Sequence, residues 1–228
     1  MKVSVIVPAY NEEFRAKPFL NELKNAMKPD WEVIFVDDGS TDNTSKVLQD
    51  FKIINKKVIS YKKNHGKGFA VRQGIIKSSG SYIIFIDADG SIRPTQIYAM
   101  LGHLKKYDVV VGTRASKESK VKQSLLRKIL AKFFNSYVNI LYNTRINDNL
   151  CGFKGFRRNL AKKLFSDMIS ERWIFDVELL YKTRKLGLKV YEMPIEWNYK
   201  RDSKMGVFDP FKIALQLLFL RLKLSHLK

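Results

Sequence analysis

The stretch Ser-Tyr-Ile-Ile-Phe-Ile-Asp-Ala-Asp-Gly, residues 81–90, constrains this chain more than any other. Tyr82 to Ile86 are apolar or aromatic and β-prone without a break, which predicts a fully buried strand. The run stops at Asp87 and Asp89, and Gly90 allows a sharp turn. In an open α/β sheet, ligands bind just outside the carboxyl ends of the strands. Two carboxylates one residue apart at such a place form a hard oxygen site suited to Mg²⁺ or Mn²⁺ together with a diphosphate. The plainer reading of the fragment alone is a turn capped by Asp87, with Asp89 solvated.

The chain before and after this strand repeats the pattern. Val3 to Pro8 is a short buried strand closed by Pro8, followed by a helix to about Met27 with Phe14, Leu20, Leu23 and Met27 available to the core. Trp31 to Val36 is a second strand ending in Asp37-Asp38-Gly39-Ser40. Thr41 to Thr44 offers N-caps for a helix through Phe51. Lys57 to Tyr61 is a third strand. Asn64-His-Gly-Lys-Gly68 opens a helix to about Ser78, its glycines and lysine forming a favourable anion site. Pro94 starts another helix, and Asp108 to Arg114 is a further strand. Strands alternating with helices predict an α/β fold, a doubly wound, mostly parallel sheet with helices on both faces. The polar strand ends at Tyr10-Asn11-Glu12, Asp37-Asp38, Asp87–Asp89 and Gly112–Arg114 then gather along one rim, as an active site would require.

After Arg114 the pattern changes. Ser124 to Tyr142 is an amphipathic helix at about 100° per residue. Ser124, Lys128, Lys132, Asn135 and Asn139 share one stripe, and Leu126, Ile129, Leu130, Phe133, Phe134, Tyr137, Ile140 and Leu141 lie opposite. Pro210 to Leu224 is a second, more uniformly apolar helix. Pattern alone favours ordinary core helices, while an aromatic face with flanking lysines also suits a membrane interface. Between them, Asn149 to Lys154 reads as a turn and short strand, Trp173 to Leu186 as a helix, and Leu188 to Ile195 as a strand.

Length and charge narrow the function classes. The 228 residues suit a single domain, divided at about residue 115. Lys+Arg at 42 against Asp+Glu at 22 gives +20, which points to a polyanion: nucleic acid, an anionic membrane surface or phosphorylated substrates. The single Cys151 excludes an internal disulfide framework. No stretch is apolar enough to span a bilayer, so the expected protein is soluble or peripheral. His65, His103 and His226 form no metal cluster, and no nucleophile–histidine–acid arrangement is legible. The chemistry is therefore expected from a metal, cationic side chains and positioning. Tyr10 offers a stacking surface and the Asp37/Asp38 pair carboxylates for a base and ribose, although helix capping competes for the two aspartates.

The set Val-Ile-Val-Pro-Ala-Tyr-Asn-Glu-Glu (5–13), Val-Asp-Asp-Gly-Ser-Thr-Asp (36–42), Asn-His-Gly-Lys-Gly (64–68), Asp-Ala-Asp-Gly (87–90) and Gly-Thr-Arg (112–114) resembles the family 2 glycosyltransferases of the GT-A fold. Cys-Gly-Phe-Lys (151–154), Glu-Arg-Trp-Ile-Phe-Asp-Val-Glu-Leu-Leu-Tyr (171–181) and Asp-Ser-Lys (202–204) look like the dolichyl (polyprenyl) phosphate hexosyltransferases, and most like the dolichyl-phosphate β-glucosyltransferases.

The resemblance implies a nucleotide-diphosphate sugar donor and a polyprenyl phosphate acceptor. It implies donor contacts from Pro8, Tyr10, Glu12, Asp37, Asp38, Lys67 and Asp87, with Asp89 the principal metal ligand, Asp87 beside it and Ser91 where mannosyltransferase relatives carry glutamine. Arg114 and Arg127 match phosphate-contacting arginines and, with Asp89, form the expected catalytic set. Arg201 and Lys204 match a basic loop on the acceptor side. The two amphipathic helices then become membrane-interface helices, and the expected location is peripheral, on the cytoplasmic face of a membrane, with a recruiting membrane partner left open. Competing readings are a GDP-mannose donor, a soluble transferase acting on a hydroxyl with Asp176 or Glu178 as base, and a nucleic-acid-binding module. The last leaves the aspartate-rich strand ends unexplained, so no nucleic-acid partner is expected.

Overall fold

The computed structural model describes residues 2–198 and 209–225. The chain runs β1 (Val3–Ala9), α1 (Glu13–Ala26), β2 (Glu32–Asp37), α2 (Thr44–Asp50), β3 (Lys56–Ser60), α3 (Lys67–Lys77) and β4 (Tyr82–Ile86). A 3₁₀ turn (Pro94–Gln96) leads into α4 (Ile97–Leu104), β5 (Val109–Thr113), β6 (Lys120–Lys122), α5 (Leu125–Tyr142), β7 (Phe153–Arg157) and α6 (Arg158–Ser166). Then come α7 (Phe175–Lys185), β8 (Val190–Pro194), β9 (Glu196–Asn198) and α8 (Asp209–Ser225).

Seven strands form one sheet in the order β3-β2-β1-β4-β7-β5-β8, with β7 antiparallel to both neighbours and the rest parallel. The strand order reverses between β1 and β4, so the ligand crevice of an open sheet falls at the ends of those two strands. One face of the sheet packs Phe19, Leu20 and Leu23 of α1 with Ile97, Met100 and Leu104. The other packs Val71 and Ile75 of α3 with Leu164, Phe165 and Phe175. A third cluster joins Val138 and Tyr142 of α5 to Val177 of α7 and to Ile213, Leu217 and Leu220 of α8.

The alternating first half forms as the residues predict, but three features differ. Phe14 is 84% exposed rather than in the core. The buried stripe of α1 is Ala16, Phe19, Leu20, Leu23 and Ala26, and Phe14 sits about 200° from Ala16 on the helix. Strand β7 enters the sheet between β4 and β5 and reverses direction there, and α6 follows it at once. Neither the insertion nor α6 is signalled by local pattern. The short parallel pair β6–β9 forms a separate two-stranded sheet beside the rim.

The third difference concerns α5. Only the later part of its polar stripe meets the protein, with Asn135 and Asn139 half-buried and Lys128 and Lys132 exposed. Its apolar side is divided: Phe134, Tyr137 and Leu141 pack in the third cluster, while Leu126, Leu130, Phe133 and Ile140 are 67%, 59%, 71% and 82% exposed. Helix α8 likewise exposes Leu215, Leu218, Phe219 and Leu222. Apolar side chains of this size on an outer face are the reverse of a core helix. No described helix is long and apolar enough to cross a membrane.

Candidate active site

A cavity of about 990 Å³ opens over the carboxyl ends of β1 and β4 and extends beneath α5. Pro8, Tyr10 and Glu12 line it from β1 and its following turn, Asp38 from β2, Lys67 from α3, and Asp87, Asp89 and Ser91 from the β4 turn. Arg114 follows β5, and Arg127, Lys128 and Lys132 come down from α5. The rim forecast from the strand ends thus exists.

Several of these groups are already committed to one another. The Glu12 carboxylate accepts from Arg15 Nε and Nη2, both at 2.7 Å, so the two line the cavity as an ion pair. Asp38 accepts from Asn64 Nδ2 at 2.9 Å, from the His65 N–H at 3.0 Å and from the Gly66 N–H at 2.8 Å. Its carboxylate therefore shapes the Asn64–Gly66 loop. Asp37 stands behind the rim, outside the cavity wall, and accepts from the Ser40 N–H at 3.1 Å. Capping has claimed it, because the turn after β2 must satisfy its own amides.

Part of the expected anion cradle at the start of α3 is engaged within the protein. His65 and Gly66 give their amides to Asp38, and Phe69 donates to the Glu171 carbonyl at 3.0 Å. The glycines serve close approach instead. A Cβ on Gly66 would lie 2.6 Å from Arg172 Cγ, and one on Gly68 2.6 Å from Phe175 Cβ. His65 stacks on Phe69 at 4.5 Å.

What α3 offers the cavity is Lys67. Its Nζ lies 2.7 Å from Asp87 Oδ1 and 2.9 Å from Oδ2. Burial alone would lower the Lys67 ammonium, but Asp87, Asp176 and Asp89 outweigh it, so its pKa is raised and its charge secured. Asp89 Oδ1 accepts the Ser91 N–H at 2.8 Å across the turn made by Gly90, whose φ is 70°. Ser91 is buried, and its carbonyl accepts from the Asn198 N–H. Among the described residues, no three acidic, histidine or cysteine side chains converge on a metal position. Asp87, paired with Lys67, and Asp89 are the carboxylates that could hold a divalent cation here, with coordination positions left to water or a ligand.

On the opposite wall, Arg114 is held by Asp148 through Nε and Nη2, both at 2.7 Å, and lies over the Trp197 ring at 5.4 Å. Burial would raise Asp148, but the guanidinium outweighs it and holds the carboxyl below its usual range. Cys151 is buried beside this pair, and burial followed by Asp148 pushes its thiol up to about 12, so it is inert at neutral pH. Arg127 lines the cavity from the first turn of α5, where its N–H meets the Ser124 cap. Arg201 and Lys204 lie outside the described residues.

Residues 4–165 match the family profile described as glycosyl transferase family 2. The chain belongs to that family. A dolichyl-phosphate beta-glucosyltransferase of Dictyostelium discoideum is 37% identical to it over 235 residues, covering 94% of this chain and 71% of that protein. A human protein of the same description is 37% identical over 246 residues, covering 97% and 75%. Among solved structures, glucosyl-3-phosphoglycerate synthase from Mycobacterium tuberculosis with UDP superposes with a TM-score of 0.74 at 19% identity, covering 97% and 79%. S. aureus TarS 1-349 gives 0.62 at 23%, covering 97% and 65%. These likenesses are of fold, the GT-A arrangement.

As a family 2 glycosyltransferase the chain is an enzyme, and the surroundings of its cavity include residues beyond the expected donor, metal and phosphate sets. Asp148 lies in none of the motifs. Lys154 is fully buried, donates to Asp176 and to the Cys151 carbonyl, and so ties β7 to α7 beneath the floor of the site. Glu178, also fully buried, accepts from the Ile169 and Ser170 amides and pairs with Lys182. Arg172, Trp173 and Trp197 line the cavity from segments far apart in sequence. The one available signal was charge in apolar surroundings, Lys154 in Gly-Phe-Lys-Gly-Phe and Asp176 in Ile-Phe-Asp-Val, because a buried ion must find a partner.

Proposed function

We propose that the protein transfers glucose from UDP-glucose to a dolichyl or other polyprenyl phosphate, with inversion, to give a β-linked lipid-phosphate sugar. The supporting observation is helix α5. One side of it brings Arg127, Lys128 and Lys132 to the cavity, and the other turns Leu126, Leu130, Phe133 and Ile140 outward. A single element with a cationic cavity side and an apolar outer side suits a substrate that is a phosphate at one end and hydrocarbon at the other. The names of the similar proteins agree with this reading.

Residues up to about 115 hold the donor in this proposal, and those beyond it hold the acceptor. Tyr10, Asp38 and Lys67 stand where the nucleotide sugar would lie, with Asp37 acting from behind as the brace of its turn. Arg114 and Arg127, with Arg201 and Lys204, receive the acceptor phosphate. A divalent cation, Mg²⁺ or Mn²⁺, held by Asp89 and Asp87 with Ser91 alongside, would neutralise charge on the departing diphosphate. The acceptor phosphate is already anionic at neutral pH. One of its oxygens attacks C1 opposite the diphosphate, the bond from C1 to the diphosphate oxygen breaks, and no proton has to move. The cationic groups lower the repulsion between two phosphate-bearing substrates.

A hydroxyl acceptor would need a carboxylate base, and the two candidates are engaged elsewhere. Asp176 is paired with buried Lys154, and Glu178 is spent on backbone amides. A peripheral position on the cytoplasmic face of a membrane, where nucleotide sugars would reach the enzyme, is part of this proposal, and the exposed apolar side chains of α5 and α8 support it.

The test offers UDP-glucose and GDP-mannose with a short polyprenyl phosphate in detergent, with and without chelator. Glucosyl transfer that chelator abolishes is expected. Transfer from GDP-mannose alone would replace the donor, and transfer only to hydroxyl acceptors would overturn the reading. Asp89→Asn is expected to lose metal-dependent turnover while keeping the wild-type circular dichroism spectrum.

A further inference from the structure

Arg114 is gripped on two sides by groups that its sequence neighbourhood does not announce. Asp148 Oδ2 accepts from the Arg114 backbone N–H at 2.9 Å and from Nε at 2.7 Å, while Oδ1 accepts from Nη2 at 2.7 Å. The Trp197 ring supports the guanidinium face at 5.4 Å. Asp148 is itself 2% exposed and pinned through both sequence neighbours. Asn147 gives its N–H and its Nδ2 to Glu192 of β8, each at 2.9 Å. Asn149 gives its N–H at 2.8 Å and its Nδ2 at 3.0 Å to Asn135 Oδ1 of α5.

This clamp is not what attraction alone would select. A carboxylate against the guanidinium cancels much of the charge that would draw in a phosphate. Arg127, Lys128 and Lys132 line the same cavity and supply that attraction. What the clamp adds is orientation, because a planar donor fork is useful for in-line attack only when its plane is fixed. On the polyprenyl-phosphate reading of the site, we infer that Asp148 and Trp197 are positioning residues, holding the Arg114 guanidinium at the cavity wall so that it meets the acceptor phosphate in one orientation.

The experiment is a mutant cycle on the full chain with UDP-glucose and a short polyprenyl phosphate, using Asp148→Asn, Arg114→Ala, Arg114→Lys and the Asp148→Asn/Arg114→Ala double variant. Asp148→Asn is expected to lower kcat at least about tenfold with donor KM within about twofold of wild type. It should add nothing to the loss in Arg114→Ala, and Arg114→Lys should be nearly as slow as Arg114→Ala despite keeping its charge. A readout that does not depend on turnover is the Arg114 Nε–H resonance, assigned by its disappearance in Arg114→Lys. It should be resolved in the wild type and merge with the exposed arginines in Asp148→Asn. Wild-type kcat in Asp148→Asn, losses that multiply with Arg114→Ala, or an unmoved Nε–H signal would each overturn the clamp. A wild-type enzyme that transfers nothing to polyprenyl phosphate would defeat the functional reading instead, and the resonance would still decide the clamp. Should Asp148→Asn not fold, Trp197→Leu enters the same cycle.

Discussion

Gly152 shows how much a single position can carry. Built with a side chain, it would overlap the carboxylate of Asp87, so the absence of a Cβ is what lets β7 run beside the β4 turn. Gly152→Ala is expected to push Asp87 away from Lys67 and lower turnover at least about tenfold, with the fold retained by circular dichroism. Undiminished turnover would mean that Asp87 has no part in the reaction. At the opposite end of the sheet, Glu32 is a structural clip. Its Oε1 accepts from Ser4 Oγ and the Ser79 N–H, both at 2.6 Å, and Lys57 lies 2.8 Å from Oε2. Burial alone would raise this carboxyl, but Lys57, Ser4 and Ser79 bring it down to about 2. With its folded pKa below an unfolded value of about 4.3, the clip stabilises fully above that pH and is lost as pH falls through about 2. The urea midpoints of wild type and Glu32→Gln should therefore differ at pH 7 and converge across that acid range. A gap that persists at the acid end would contradict the assignment.

Among the elements, α5 departs furthest from what its pattern suggests. Helical periodicity identifies an apolar side and a polar side, but it does not say which of them meets the protein. Here part of each does: Asn139 donates to the Ile146 carbonyl at 2.8 Å and Asn135 accepts from Asn149 at 2.8 Å, while Phe134, Tyr137, Val138 and Leu141 pack in the third cluster. The Thr144 hydroxyl bridges Asn139 and Asn149, each at 2.8 Å. These amides anchor the loop that bears Asp148, so one helix both shapes the Arg114 wall and presents an apolar exterior. Replacing Leu130 and Phe133, 59% and 71% exposed, by glutamate is expected to abolish flotation with lipid vesicles. The urea midpoint should stay near wild type, since little buried surface is lost. A large loss of stability with vesicle binding intact would show that this side of α5 packs against protein.

Across the whole molecule, the sheet takes strands from both halves of the chain, with β7 and β8 completing what β1 to β5 begin. The cavity lies where the strand order reverses and is roofed by α5. The whole chain carries a net charge of +20. Binding to anionic vesicles should weaken steeply between about 0.05 and 0.5 M salt, as the screening length shortens, while the apolar contribution persists. Salt-independent binding, measured by co-sedimentation, would leave the charge without a role in docking.

What the sequence by itself determined is the local chemistry. A buried strand that stops at two aspartates and a glycine places those carboxylates at a strand end whatever surrounds it, since β-strand and turn are written by adjacent residues. The alternation of strands and helices, the rim of polar strand ends and the boundaries of α5 were legible for the same reason. Tertiary structure alone decided which charges meet. Arg114 and Asp148 are 34 residues apart, Lys154 and Asp176 are 22 apart, and Asp38 spends its carboxylate on a loop 26 to 28 residues away. Partners separated by that much chain are chosen by burial, because an ion removed from water must be matched by whatever the fold brings beside it. The same packing left Leu126, Leu130, Phe133 and Ile140 of α5 facing outward and set β7 against the direction of its neighbours.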